Sequence, residues 1–228
     1  MRIIKHFLVN ETPISELSNG ARFDGLFDIP VIEKPSKIFI PDSLTPFSER
    51  TKVSFLDSAV CFYEKDENFM ELLISPAAYL EELRQFQAVV SPDCSMYRDA
   101  PLSVQIINLY YNRLLGSYYQ RNGIYVIPNI RWGSEDTYKI SNLPEKVAFS
   151  GIEKNSIVSI SSYGCIKDLE NRYYFEAGLA AMMETLMPEV VLVYGAMPNE
   201  IFGQYFNYAQ FVQYDNWIKT RHKNGGND

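Results

Sequence analysis

The sequence predicts an α/β fold: a TIM-like or incomplete (β/α) barrel, with a doubly wound α/β sandwich as the alternative. Short β-branched runs alternate with longer stretches of helical periodicity, which is the pattern of βαβ units and a parallel sheet. Three successive strand candidates carry one apolar face and one face that turns polar toward its carboxyl end. An open sheet covered on both sides would show two apolar faces, whereas a barrel sets helices against one face and a small interior against the other. The chain has 228 residues, 46% hydrophobic and 21% charged, enough for one domain with its own core. A full complement of barrel units is not evident.

Residues 1–35 hold Pro13, Gly20, Gly25 and Pro30 and read as an N-terminal arm. A single α/β domain is expected over 36–218 and a flexible tail over 219–228. KIFIP (37–41) and SAVCFY (58–63) read as strands. A helix follows over 68–86, interrupted near Pro76, and then a strand, QAVVSP (87–92). The strongest helix spans 101–123. Its first turn suits Pro101, its N-cap is Asp99, and Ile107, Tyr111, Leu114 and Tyr118 recur at helical spacing before Asn122-Gly123 stops it. IYVIPNIRW (124–132) and SIVSISS (156–162) are strands. A helix over 167–188 ends at Pro188, EVVLVYG (189–195) is a strand, 198–206 is a short helix and AQFVQY (209–214) is a last strand.

Side chains two apart on a strand share a face. That groups Val89, Ser91 and Asp93; Ile127, Asn129 and Arg131; and Ser159, Ser161 and Tyr163. In parallel α/β folds ligands bind at the carboxyl ends of strands. Asp93, Asn129, Arg131 and Tyr163 are therefore expected to point into one pocket, with Trp132 opposite or in the following loop.

Composition removes several classes. Net charge is −7, and the basic cluster is confined to KTRHK (219–223), so broad nucleic-acid binding is not expected. Cys61, Cys94 and Cys165 are scattered, with neither a CxxC pair nor a Cys/His cluster, so no zinc site or disulfide framework is expected. The start lacks signal-peptide features, and no apolar run approaches the ~18 residues that span a bilayer. The expectation is a cytoplasmic protein without a membrane segment. His6 and His222 lie near the termini, which argues against a Ser/His or Cys/His triad, and no phosphate-binding glycine motif occurs.

The candidate residues each have two readings. Arg131 is a fixed cationic fork for carboxylate or phosphate, or the internal partner of Asp93. Asp93 suits a general base, a magnesium ligand or a turn. With Glu135 and Asp136 it would make an acidic magnesium set, the one metal considered; no other cofactor is expected. Asn129 orients a ligand or satisfies backbone groups. Trp132 stacks on a base or sugar, or packs on the helix layer. Arg98 touches ligand or solvent, Tyr97 clusters near the mouth, and Gly164 answers a backbone need.

The stretches SPDCSMYRDAP (91–101), NIRWGSEDTY (129–138), SSYGCIKD (161–168) and VYGAMPNEIFG (193–203) resemble the uncharacterised family called domain of unknown function 4417, as does IPDSLTPFSE (40–49). The resemblance runs from about residue 29 onward. Its matches fall at Asp93, Tyr97, Arg98, Asp99, Asn129, Arg131, Trp132, Gly133, Tyr138, Gly164, Cys165, Tyr194 and Gly195. It implies a setting in phages, plasmids and Gram-positive bacteria and brings no substrate. Many members of the family carry a histidine where this chain has Tyr163; if those relatives are enzymes through that imidazole, the resemblance implies binding without turnover here, or use of the tyrosine hydroxyl.

Three functions fit this reading. The first is a mobile-element protein that binds a small anionic, nucleotide-derived ligand, an anti-defence role being to sequester a host signal. The second is a hydrolase of a phosphoester or N-glycosidic bond using Asp93. The third is a protein-interaction module in replication or host takeover.

Overall fold

The computed structural model describes residues 14–53, 57–217 and 219. His6, His222 and nearly all of the expected tail lie outside them. The arm begins with helix α1 (Ile14–Ser18), followed by an antiparallel pair, β1 (Phe23–Asp24) and β2 (Ile29–Pro30).

Seven parallel strands follow: β3 (Leu44–Pro46), β4 (Ala59–Cys61), β5 (Ala88–Val90), β6 (Val126–Ile127), β7 (Ile157–Ser161), β8 (Val190–Tyr194) and β9 (Gln210–Tyr214). Ladders join β3 to β6 in chain order, and β7 to β9 likewise. A bridge between Asn129 and Ser159 connects the two groups. Each strand thus neighbours the next in sequence, the order of a singly wound barrel rather than of a doubly wound sheet.

The two faces agree with that order. Leu44, Ala59, Ala88, Val90, Ile127, Ile157, Leu192 and Tyr214 form an apolar cluster drawn from all seven strands and from no helix. Val60, Val89, Val126, Val158 and Val191 point the other way and pack with helical side chains. No ladder among the described residues pairs β9 with β3, and Tyr214 Oη instead donates to Pro41 O at 2.6 Å. The arrangement is consistent with an incomplete (β/α) barrel.

Two long helices cover the outer face. Helix α2 (Met70–Ile74) and α3 (Leu80–Leu83) are fragments of the stretch expected as one interrupted helix, separated by a 3-10 turn beginning at Pro76. Helix α4 (Leu102–Arg121) ends at Asn122 and Gly123, the latter at φ +83°. Its N-cap is Pro101, not Asp99, and no side chain caps it. Short α5 (Glu135–Tyr138) follows β6. In α6 (Leu169–Leu186), Asp168 caps the start by accepting from Asn171 N at 2.9 Å, and left-handed Met187 precedes Pro188. Helix α7 (Asn199–Phe202) follows β8.

Two expectations, the first strand and one residue of the α4 stripe, are overturned. The segment 37–41 is no strand; Ile38 and Ile40 pack on the interior cluster while Phe39 N donates to Tyr125 Oη, and the first rung forms at Leu44. Of the helical stripe, Leu114 is fully buried and Tyr111 and Tyr118 pack half-buried on the core, but Ile107 is exposed; α4 also buries Leu109, Asn112, Arg113 and Gly116. Those four sit at i, i+3, i+4 and i+7, one true helical face, but half of it is polar. A side chain at Gly116 would collide with Ile32, so the helix lies close on its neighbours.

Candidate functional site

Pro128 has no N–H to donate, and it ends the short β6 ladder. Beyond it the strand changes partners. Asn129 N donates to Ser91 Oγ at 2.8 Å, while Ile130 N donates to Ser159 O of β7 and Ser159 N donates back to Pro128 O. The strand tip is thereby held between two neighbours, with Asn129 and Arg131 on the same side as interior Ile127.

Asp93 reaches that place by a turn. Val89 packs in the helix layer and Ser91 Oγ donates to Asn112 of α4, so the face expected to carry Asp93 is the outer one. After β5 the chain folds back, with Cys94 N donating to Pro92 O at 3.0 Å, and Asp93 swings inward. There its two oxygens accept from Asn129 Nδ2 at 2.8 Å and Arg131 Nη1 at 2.7 Å. The convergence holds; for β5 the alternation behind it fails.

Beneath this trio lies a second polar layer. Tyr63 Oη donates to Asn129 Oδ1 at 3.1 Å and shares a 2.7 Å hydrogen bond with Ser159 Oγ. Arg113, fully buried, donates to Ser150 O, Asn112 Oδ1, Asn129 O and Ala148 O at 2.6–3.0 Å. Its acceptors are all neutral, and burial pushes its guanidinium down to about 9, so it stays charged at neutral pH. Burial also raises the Asp93 carboxyl, opposed by the Arg131 charge and the Asn129 amide. The Asp93 carboxylate in turn pushes Arg131 up.

Arg131 projects from the trio with its side chain 30% exposed, while Asp93 is at 6%. It stands between two clefts. The smaller, about 310 Å³, is walled by Tyr97, Arg98, Trp132, Gly164 and Tyr174. The larger, about 540 Å³, is walled by Tyr63, Asp93, Tyr163, Tyr194 and Trp217. Arg131, Tyr97 and Ser161 border both. All the expected site residues except Asn129 thus line one cleft or the other. Asn129 is fully buried below and reaches the site only through its partners.

Trp132 leans on the helix layer, tilted against Phe175 at 5.4 Å; a side chain on Gly178 would strike its indole. Arg98 pairs with Glu170 at 2.8 Å and lies 4.0 Å over the Tyr174 ring. Tyr163 is 42% exposed and meets Tyr194 edge-on. Gly164 adopts φ +80°, the backbone need expected of it. The acidic magnesium set does not assemble: Glu135 pairs with Lys139, and Asp136 accepts from Ser141 and Asn142. Among the described residues no three His, Cys, Asp or Glu side chains gather to hold a metal ion. Nor is any helix among them long and apolar enough to cross a membrane.

The model of the domain of unknown function DUF4417 matches residues 21–215. The chain belongs to the DUF4417 family. Two curated relatives of this DUF4417 chain are each called "Gene 1 protein". That of Mycobacterium phage D29 is 28% identical over 162 residues, 70% of this chain and 57% of the relative. That of Mycobacterium phage L5 is 32% identical over 139 residues, 61% of this chain and 58% of the relative. The chain therefore spans less than two thirds of either relative. No solved structure matches it.

In this DUF4417 chain, sequence reasoning missed Tyr63, Asn112 and Arg113, and put Ser159 on the polar face without giving it a role. The available signal was in α4, where an arginine and an asparagine share a helical face with Leu109 and Gly116.

Proposed function

We propose that this DUF4417 chain binds a small anionic, nucleotide-derived ligand at the carboxyl ends of its parallel strands. The observation that carries the reading is Arg131. Asp93 holds it by one nitrogen at 2.7 Å, and it faces two aromatic-walled clefts. A guanidinium fixed in this way is pre-oriented for phosphate or carboxylate. Asp93 and Asn129 then act as positioning residues, and Tyr163 and Trp132 offer ring surface to a base or sugar. Two relatives are phage proteins, so the setting we favour is a mobile-element protein inside a host cell that sequesters a host signal.

Thermal denaturation with a panel of nucleotides tests this. At about 100 times Kd a ligand adds ~2.7 kcal/mol, a rise of roughly 5–10 °C in Tm for a chain of this size. Arg131→Gln abolishes that rise. A panel in which no nucleotide raises Tm overturns the reading.

A second reading is hydrolysis of a phosphoester or N-glycosidic bond. The raised Asp93 carboxyl at the wall of the larger cleft favours it, since a general acid needs such a shift. Incubation with nucleotides in magnesium or EDTA decides it. Product formed by the natural protein and lost in Asp93→Asn supports hydrolysis; intact nucleotide in every arm removes it.

A further inference from the structure

Resting on the binding reading above, we infer that the ligand is of the dinucleotide class: two planar groups joined through a phosphate that sits on Arg131. The first observation is the layout of the clefts. They are separate spaces of about 310 and 540 Å³ that share Tyr97, Ser161 and Arg131. Arg131 is therefore a waist between two chambers, not the end of one. A single chamber of the smaller size is already at the low end of small-molecule sites.

The second observation is the chemistry of the walls. Trp132, Tyr174 and Phe175 border the smaller chamber, and Tyr63, Tyr163 and Trp217 the larger. Aromatic walls accept planar bases of any sequence by stacking.

The third observation is where charge is tolerated. Glu49, Glu64 and Asp93 border the larger chamber, and its Lys65 is paired with Glu67 at 3.4 Å. In the smaller chamber Arg98 is tied to Glu170 and lies over Tyr174. A polyphosphate tail extending into the larger chamber would meet carboxylates. A bridging phosphate at the waist, with uncharged rings on either side, meets the Arg131 guanidinium and avoids them.

Titration calorimetry with AMP, the dinucleoside monophosphate ApA and a cyclic dinucleotide, repeated with the other bases, tests the inference. We expect one dinucleotide per chain, bound at least about tenfold tighter than the matching mononucleotide. Tyr163→Ala in the larger chamber and Tyr174→Leu in the smaller each reduce the dinucleotide to mononucleotide affinity. Tyr163 is exposed, so its truncation leaves the fold intact even where Tyr174→Leu does not. Mononucleotides that bind as tightly as dinucleotides overturn this inference and leave nucleotide binding standing. Absence of binding by every probe overturns both.

Discussion

Two arginines on either side of Asn129 show how this fold separates support from contact. Arg113 projects from the inner face of α4, wholly buried, with its donors spread over four neutral oxygens. Arg131 stands at the tip of the next strand, partly exposed and bonded to Asp93 through one nitrogen. The first has no donor turned to solvent; the second faces open clefts. A buried cation whose bonds are all internal fixes geometry, and one that keeps donors free at a mouth can bind. Asn129 is the hinge between them: its carbonyl accepts from Arg113, and its amide donates to the carboxylate that holds Arg131.

The sharpest way to break this contrast is Arg113→Met. It strands several buried carbonyl oxygens and costs about 3–5 kcal/mol, a fall in Tm of order 10 °C by calorimetry. A loss under about 1 kcal/mol would mean that Arg113 is not the support described. Next comes Asn129→Ala, which strips one Asp93 oxygen of its amide donor and leaves the Tyr63 hydroxyl with Ser159 alone. It is expected to cost about 1–3 kcal/mol in urea denaturation.

A pH series sharpens the electrostatic side. Burial raises the folded-state carboxyl of Asp93 above its unfolded value. The folded protein therefore holds that proton longer than the unfolded chain. The Asp93 contribution is present below the ordinary aspartate value and is lost as pH rises through the raised one. Stability of the natural protein relative to Asp93→Asn should fall with rising pH across that window. A difference that rises or stays flat would show that Arg131, not burial, governs this carboxyl. Arg131→Gln takes the cation from buried Asp93 but keeps an amide that can donate to it, so its stability cost is expected to stay within about 1–3 kcal/mol, while ligand binding is expected to be lost.

The same contrast explains what could be read from sequence. The alternation of strands and helices was legible, as was the single polar face on IYVIPNIRW and SIVSISS, because a two-residue period survives in the chain. The site address followed, since Arg131 and Asn129 share parity with Ile127. Asp93 joined them for a reason the alternation did not contain, a turn after Pro92. Arg113 was hidden because hydrophobic periodicity marks apolar faces, and α4 buries a polar one. The Tyr63–Ser159 contact was hidden because it depends on an interior narrow enough for the ends of β4 and β6 and the strand β7 to share one hydrogen-bond network. The segment 37–41 looked like a strand because Ile38 and Ile40 alternate, and they do face the interior cluster, but without a ladder.

The most direct measurement is an NMR titration of protein carrying 15N-labelled arginine with a dinucleotide, the guanidinium signals of Arg131 and Arg113 assigned from their variants. The account predicts that the Arg131 signal moves with saturation while Arg113 stays in place. A saturating titration in which Arg131 is unmoved, or in which Arg113 alone responds, would contradict it.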